Sequence, residues 1–191
     1  MGCRGLSARK LAEHAGVNLG MFHYHFRTRE NFIRTLLQQT YEQMFSMLVI
    51  RAHENASPLQ NLSNALHVLA EFARTNRQLL VRIAADALTG EQIAIEFLQA
   101  NLPRHLGVLT DLIDEAQRQD CLVQAPPAQV LAFLGGAIMS PLLLGTALAE
   151  SSALPVSIHR LLEQDVLSQQ AAEQRIAFAL RGLSKPQEGT T

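Results

Sequence analysis

The segment from Leu11 to Phe26 places the tightest constraint on how this chain can fold. Two short segments flank Gly16, and glycine tolerates the positive φ that a tight turn between helices requires. Val17 and Phe22 are placed to form an apolar clamp across the turn, and Asn18 is placed to cap the second segment. The pattern predicts two short helices joined by a tight turn, which is the helix-turn-helix arrangement.

Periodic apolar residues predict that the rest of the chain is helical as well, which gives an all-α fold. No β pattern, internal repeat or low-complexity segment competes with this prediction. Pro103 lies inside one predicted helix and predicts either a kink near Leu102 or a break into two helices. The predicted helices span about residues 8–15, 19–25, 29–51, 58–75, 77–88, 91–119, 127–149, 157–164 and 169–182.

Charge separates the chain into two unequal parts. The whole chain has a formal net charge of −1, yet residues 1–56 sum to +3 and the remainder to −4. A basic end on an acidic body is typical of a protein that binds nucleic acid at one end, where a helix-turn-helix lays its second helix into the DNA major groove. We therefore predict a helix-turn-helix domain over residues 1–50, a helical-bundle body over 51–184 and a disordered tail over 185–191.

Composition and motifs argue against several other classes of protein. Cys3 and Cys121 have neither metal-ligand spacing nor a disulfide framework, which indicates a reduced, cytoplasmic protein without a metal or other cofactor. No catalytic triad spacing, phosphate-binding glycine loop or HExxH motif is present, so we expect no enzyme. The uncharged segment 130–149 is apolar enough to imitate a membrane span, but Gly135, Gly136 and Pro141 within it favour a buried or dimer-interface helix and no membrane partner.

The segment 6–30 resembles the DNA-binding head of the TetR family of transcriptional repressors. The resemblance rests on the capping Ser7, the Leu11-Ala12 pair, the Ala15-Gly16-Val17-Asn18 turn, Gly20 and the Tyr24-His25-Phe26 run, and it covers about residues 6–45. The body resembles the family only in kind, as a helical domain that ends in two helices suited to dimerisation.

The resemblance implies a homodimer that binds a palindromic operator in double-stranded DNA and is released by a small apolar or amphipathic effector. Leu19, Gly20 and Tyr24 are expected to face base edges, while His25, Arg29 and the capped start of the first helix reach phosphates. The full set of implied DNA contacts is Ser7, Arg9, Lys10, Asn18, Leu19, Gly20, Met21, His23, Tyr24, His25 and Arg29.

Three departures from the family pattern modify this expectation. Met21 replaces a hydroxyl residue and loses a phosphate contact, and His23 replaces a tyrosine with a shorter, pH-sensitive side chain. The family's first helix is missing, because Met1 falls where that helix should end. A misassigned start, a truncation or a real short form would each explain this, and we expect weak operator binding or a mobile head. The alternative is a dimeric interaction protein that no longer binds DNA.

An effector pocket needs a mostly apolar lining with a few converging polar groups. The body helices offer His67, Phe72, Asp86, Phe97, Asn101, His105 and Met139 as candidates. Core packing or simple exposure would equally explain the aromatic residues, the methionine and the histidines. An ion pair with Arg82, one helical turn earlier, would equally explain Asp86.

The dimer interface is expected on the uncharged helix and on the last helix. A helix that is apolar around most of its circumference must be buried, and two copies of this helix pair would form a four-helix interface. The residues expected in this interface are Leu142, Leu143, Leu148, Ile176, Ala179 and Leu180.

Overall fold

The computed structural model of the chain describes residues 7–185, except residues 15, 17 and 55, and describes only the backbone at residues 11 and 14. Its regular elements are helices, apart from one antiparallel bridge between Leu122 and Ser184. This confirms the all-α prediction. The helices are α1 (Ala8–His14), α2 (Leu19–Phe26), α3 (Arg29–Ala52), α4 (Pro58–Thr75), α5 (Arg77–Leu88), α6 (Gln92–Arg118), α7 (Pro127–Leu134), α8 (Ser140–Ala149), α9 (Val156–Leu161) and α10 (Gln169–Leu183).

Side-chain caps fix where several of these helices begin. The hydroxyl oxygen of Ser7 accepts a hydrogen bond from the Lys10 amide at 3.2 Å, and that of Thr28 accepts one from the Asn31 amide at 3.1 Å. Ser57 and Ser168 cap α4 and α10 in the same way. Each cap pairs an amide that would otherwise lack a partner in the first turn. The starts of α1, α2, α3 and α4 consequently fall where the sequence predicts them.

Of the two outcomes predicted at Pro103, the break into two helices does not occur, because α6 continues through this residue as one helix, and the kink near Leu102 stays a prediction. An interior proline normally costs a helix about 3 kcal/mol. Contacts with α3 hold α6 on both sides of the proline: Arg34 pairs with Glu96 before it, and Arg104 pairs with Glu42 after it. Packing against α3 and α4 on the remaining turns keeps the helix intact.

The main core lies where α3, α4, α6, α7 and α10 meet. It is built from side chains that each helix presents at three- and four-residue steps, so one stripe per helix is removed from water. Its fully buried side chains include Leu48, Leu62, Ile113, Leu134 and Ile176.

A second cluster joins α3 to the following helices near the N-terminal end of α3. Ile33 and Leu37 of α3 pack with Ile83 of α5 and Ile93 of α6, and Phe32 lies against the same cluster. The helix that begins next to the helix-turn-helix therefore runs without interruption into the body. The domain boundary predicted at residue 50 falls in the last turn of α3.

The apolar run Pro127–Ala149 is long and apolar enough to cross a membrane by length and composition, and about a third of its most apolar stretch is buried inside the chain. A π-helical turn, Gly135–Met139, separates α7 from α8 within the run. Val130, Leu134 and Ile138 point into the main core. The single predicted helix is thus interrupted by a π turn in its middle and presents one side to the main core.

The C-terminal end differs from the sequence prediction in two ways. The helix predicted over residues 157–164 is α9 followed by a π-helical turn, Leu162–Val166. Lys185, placed in a disordered tail, instead donates its amide to the Cys121 carbonyl oxygen at 3.3 Å and forms an ion pair with Asp120. The rest of the predicted tail, residues 186–191, lies outside the described residues.

Candidate nucleic-acid interface and effector cavity

The turn before α2 has the geometry that the sequence predicts. Gly16 has a φ of +67°, a backbone conformation that residues with a Cβ atom rarely adopt. Asn18 caps α2, and its Oδ1 accepts a hydrogen bond from the Met21 amide at 2.7 Å. A Cβ atom at Gly20 would lie only 3.2 Å from that oxygen, so glycine leaves room for the cap. Val17, the expected partner in the apolar clamp, lies outside the described residues.

The side chains of α2 divide into a buried aromatic anchor and an exposed face. Phe22 is 4% exposed, and its ring packs against Phe26 and Phe32 with centroids 5.4 and 5.3 Å away. This cluster fixes α2 to α3. Leu19, Met21 and Tyr24 are exposed on the same helix, Tyr24 by 83%. An exposed large aromatic on a rigidly anchored helix has no role in the core and is available for contact.

The polar residues expected at DNA lie on α1, on α2 and at the start of α3. His23 and His25 are exposed, and His23 Nδ1 donates to the Arg27 carbonyl oxygen at 3.1 Å, which holds its ring in place. Arg9 and Lys10 are exposed on α1, where Arg9 pairs with Glu13. Arg29 begins α3 and contacts Glu30 at 2.9 Å. Cations and helix starts of this kind suit phosphate oxygens.

A cavity of about 260 Å³ lies between α4, α6 and the α7–π segment. Its lining is apolar except for one histidine, which makes it a candidate site for a small organic molecule. The lining residues are Leu66, Leu69, Leu102, His105, Leu106, Leu109, Leu131, Leu134, Gly135, Ile138 and Met139.

His105 connects this cavity to α3. Its Nδ1 lies 3.3 Å from the Tyr41 hydroxyl oxygen, and that hydroxyl donates to the Asn101 carbonyl oxygen at 2.8 Å. Burial lowers the pKa of His105 below its usual value, so the ring stays neutral near pH 7. Burial raises the pKa of Tyr41, with the nearby Arg104 opposing this, so Tyr41 remains a neutral donor.

A network of amides and charges extends this link along α3 and α6. The side-chain amides of Gln38 and Asn101 exchange two hydrogen bonds of 3.1 Å. The Arg104 guanidinium binds both oxygens of Glu42 at 2.6 and 3.0 Å, and this hydrogen bonding lowers the pKa of Glu42. The Arg104 guanidinium also lies over the ring of Phe45, with its Cζ 4.1 Å from the centroid. The network joins the two helices firmly on one side of the cavity.

The structure brings only two of the predicted effector residues together in the cavity, His105 and Met139. His67 and Phe72 line a groove of about 560 Å³ between α3 and α4. Phe97 lines a wide groove of about 840 Å³ between α3 and α6, which also carries charged residues.

The last two predicted effector residues lie outside these three spaces. Asn101 is 2% exposed, and the partners described above occupy its amide group. Asp86 lies on α5 and lines none of the three spaces, and its expected partner Arg82 contacts Glu150 at 3.3 Å. Among the described residues, no three histidine, cysteine or carboxylate side chains are grouped to hold a metal ion.

The six residues predicted at the dimer interface differ in burial. Leu142, Ile176, Ala179 and Leu180 are buried within the single chain, so most of their surface is already covered by its own core. Only Leu143, which is partly buried, and Leu148, which is 50% exposed, retain accessible surface. The large exposed apolar side chains on the same helices are Phe133, Leu144, Leu148 and Phe178.

Sequence reasoning missed Tyr41 as part of the site. In the sequence Tyr41 occupies one position of the periodic apolar pattern of α3, together with Met44 and Leu48. The available signal was a phenol within an otherwise aliphatic stripe, because a buried tyrosine hydroxyl requires a hydrogen-bond partner.

No protein-family model matches the chain, and no curated protein matches its sequence. Solved structures do share its fold. The ketosteroid transcriptional regulator KstR2 of Mycobacterium tuberculosis superposes with a TM-score of 0.70 at 17% identity, over 96% of this chain and 87% of that one. The TetR-family transcriptional regulator PfmR of Thermus thermophilus superposes with a TM-score of 0.66 at 14% identity, over 96% of this chain and 92% of that one. The helix-turn-helix and the helical body together thus have the fold of the TetR-family transcriptional regulators.

Proposed function

We propose that this chain is a ligand-responsive transcriptional regulator that acts in the cytoplasm as a repressor and has no catalytic activity. The observation that carries the proposal is the exposed face of α2. Leu19, Met21 and Tyr24 project outward while Phe22 anchors the helix to α3 through its aromatic cluster. A short, rigidly held helix with exposed side chains and nearby cations fits the DNA major groove.

The proposed effector site is the cavity between α4, α6 and the α7–π segment. Its apolar lining and single polar group are typical of a site for a small molecule. It communicates with the DNA-facing end through α3, since Tyr41 meets the cavity residue His105 and Phe32 meets the α2 aromatics. An effector that changes the position of α3 would therefore change the position of α2.

The proposed partner for DNA binding is a second copy of the chain. Phe133, Leu144, Leu148 and Phe178 form exposed apolar surface on α7, α8 and α10, and such surface favours burial in an interface. A two-fold dimer carries two α2 helices, so its operator is expected to be palindromic. Dimerisation explains why a helix as apolar as Pro127–Ala149 is only partly buried in one chain.

Selection of duplexes from a random DNA library tests the proposal. The selection should be run at low salt, because phosphate contacts weaken steeply as salt rises. We expect enrichment of a palindromic sequence whose half-sites lie on one face of the duplex. A library that stays random after repeated rounds would contradict sequence-specific DNA binding.

A further inference from the structure

The size and lining of the cavity restrict the molecule that it can hold. An apolar protein cavity of about 150 Å³ holds benzene. By the same scale, the 260 Å³ beside His105 has room for about ten non-hydrogen atoms. The lining contains no charged side chain, so the bulk of the ligand must be apolar.

The hydrogen bonds of His105 determine what its free ring nitrogen can do. Tyr41 gives its only hydroxyl proton to the Asn101 carbonyl oxygen at 2.8 Å. The contact between the Tyr41 oxygen and His105 Nδ1 therefore requires the proton to be on Nδ1. In a neutral imidazole this leaves Nε2 as a hydrogen-bond acceptor, and Nε2 receives no hydrogen bond from the described residues.

We propose that the cavity binds an uncharged alcohol or phenol of about ten non-hydrogen atoms, whose hydroxyl group donates to Nε2 of His105. This ligand class deepens the proposed effector site and rests on that function. A ketone of the same size offers only an acceptor. Its carbonyl oxygen and Nε2 would face each other with their lone pairs and form no hydrogen bond. The preference for a donor is the specific consequence of the Tyr41–His105 arrangement.

A carboxylate is excluded by the charges around the cavity. Arg104 is the cation next to His105 in the chain, but both oxygens of Glu42 already occupy its guanidinium. Burial also lowers the pKa of His105, so the ring itself supplies no positive charge at pH 7. A buried carboxylate without a cation costs several kcal/mol.

Three probes of equal size test this assignment on the full chain: 1-nonanol, 2-nonanone and octanoate. Binding is measured at pH 7.5 by isothermal titration calorimetry without DNA. We expect 1-nonanol to bind roughly three- to tenfold more tightly than 2-nonanone, as one hydrogen bond predicts, and octanoate to bind more weakly than both. Equal affinities for alcohol and ketone, tighter binding of octanoate, or no binding of any probe would overturn the proposal.

The His105→Leu variant tests the role of the histidine, and His53→Leu is the matched control at an exposed histidine. In His105→Leu the alcohol and ketone should bind with similar affinity, whereas His53→Leu should keep the preference. Bound 2-nonanone in His105→Leu shows that the cavity is intact, and circular dichroism checks the helical content. If His105→Leu retains the alcohol preference, or unfolds while His105→Phe, which also lacks an acceptor, folds and retains it, the proposal is wrong.

The readout separates this inference from the proposed function. Ligand preference is measured without DNA, and the effect of bound 1-nonanol on DNA affinity is measured afterwards. Preferential binding of the alcohol with unchanged DNA affinity would refute the effector role and leave the ligand class intact. A chain that binds a specific duplex yet shows no alcohol preference would refute only the ligand class.

Discussion

The Tyr41 hydroxyl oxygen lies 3.3 Å from Nδ1 of His105, which joins α3, the helix that packs against α2, to the wall of the cavity. Tyr41 is 3% exposed, and its hydroxyl also donates to the Asn101 carbonyl oxygen. A ligand that contacts His105 is thus connected to Tyr41 of α3 through the His105 side chain alone. This arrangement gives the cavity a direct physical route to the orientation of α2.

Replacing Tyr41 by phenylalanine removes the hydroxyl group while keeping the ring. We expect the free energy of unfolding to fall by about 1 kcal/mol, because the Asn101 carbonyl oxygen loses its side-chain donor. The change in DNA affinity caused by a bound ligand should also shrink. Urea denaturation and anisotropy titrations with and without 1-nonanol measure the two effects. Tyr24→Phe, at an exposed tyrosine, should leave stability unchanged.

Burial of His105 makes the stability of the chain depend on pH. The pKa of His105 is lower in the folded chain than its ordinary value of 6.5, so the unfolded chain binds a proton first as pH falls. The contribution of His105 to the free energy of unfolding is fully present above about pH 6.5, and it is lost as pH falls from there through the pKa of the folded chain. Urea midpoints at pH 7.5 and 5.5 should differ less in His105→Gln than in the parent chain. If the difference between the two urea midpoints is unchanged in His105→Gln, or is reduced in His53→Gln, then His105 is not the origin of the pH dependence.

A side chain added at Gly135 should fill the cavity. Gly135 lines the cavity, and a Cβ atom there would meet no other atom within 4 Å. Gly135→Leu is expected to fold, since leucine favours helix over glycine by up to about 1 kcal/mol, and to lose probe binding. Gly107→Leu, on the exposed side of α6, adds the same side chain in open space and should still bind. Tight 1-nonanol binding to Gly135→Leu would place the ligand elsewhere.

Charges on the exposed face of α8 should separate the proposed dimer. The double variant Leu144→Glu and Leu148→Glu places two carboxylates where the chain exposes apolar surface. Desolvating them in an interface is costly, so sedimentation at micromolar concentration should show a monomer with unchanged helical content. Leu88→Glu is the control, because Leu88 is 90% exposed and belongs to α5 rather than to α7, α8 or α10. A dimer that survives the double substitution would require a different interface.

Local signals predicted the helix starts well because they act within a few residues. Asn18 and Thr28 each bond to an amide three residues later, so the sequence alone contains both partners. The turn at Gly16 is local in the same sense. A break at Pro103 is one of two predicted outcomes, and its absence has a non-local cause: charged residues of α3 pair with α6 on both sides of the proline.

The candidate site was harder to predict because it depends on which helix faces meet. Phe72, Phe97 and His105 were all candidates for one pocket. In the structure Phe72 and Phe97 face two separate grooves, and neither lines the cavity beside His105. The predicted dimer residues divide between buried and exposed positions for a related reason. In a helix that is apolar nearly all round, the sequence does not say that Leu142 faces the chain's own core and Leu144 faces outward.

The affinity for a selected duplex, compared between the parent chain and Tyr24→Ala, tests the central claim most directly. Tyr24 is 83% exposed, so its loss should not alter the fold, and Leu88→Ala provides an equally exposed control. Anisotropy at low salt should show that the parent chain prefers the selected palindrome over a scrambled duplex, and that Tyr24→Ala loses roughly tenfold or more of that affinity while Leu88→Ala loses none. Equal binding of both duplexes by the parent chain, or unchanged affinity in Tyr24→Ala, would contradict DNA recognition by α2.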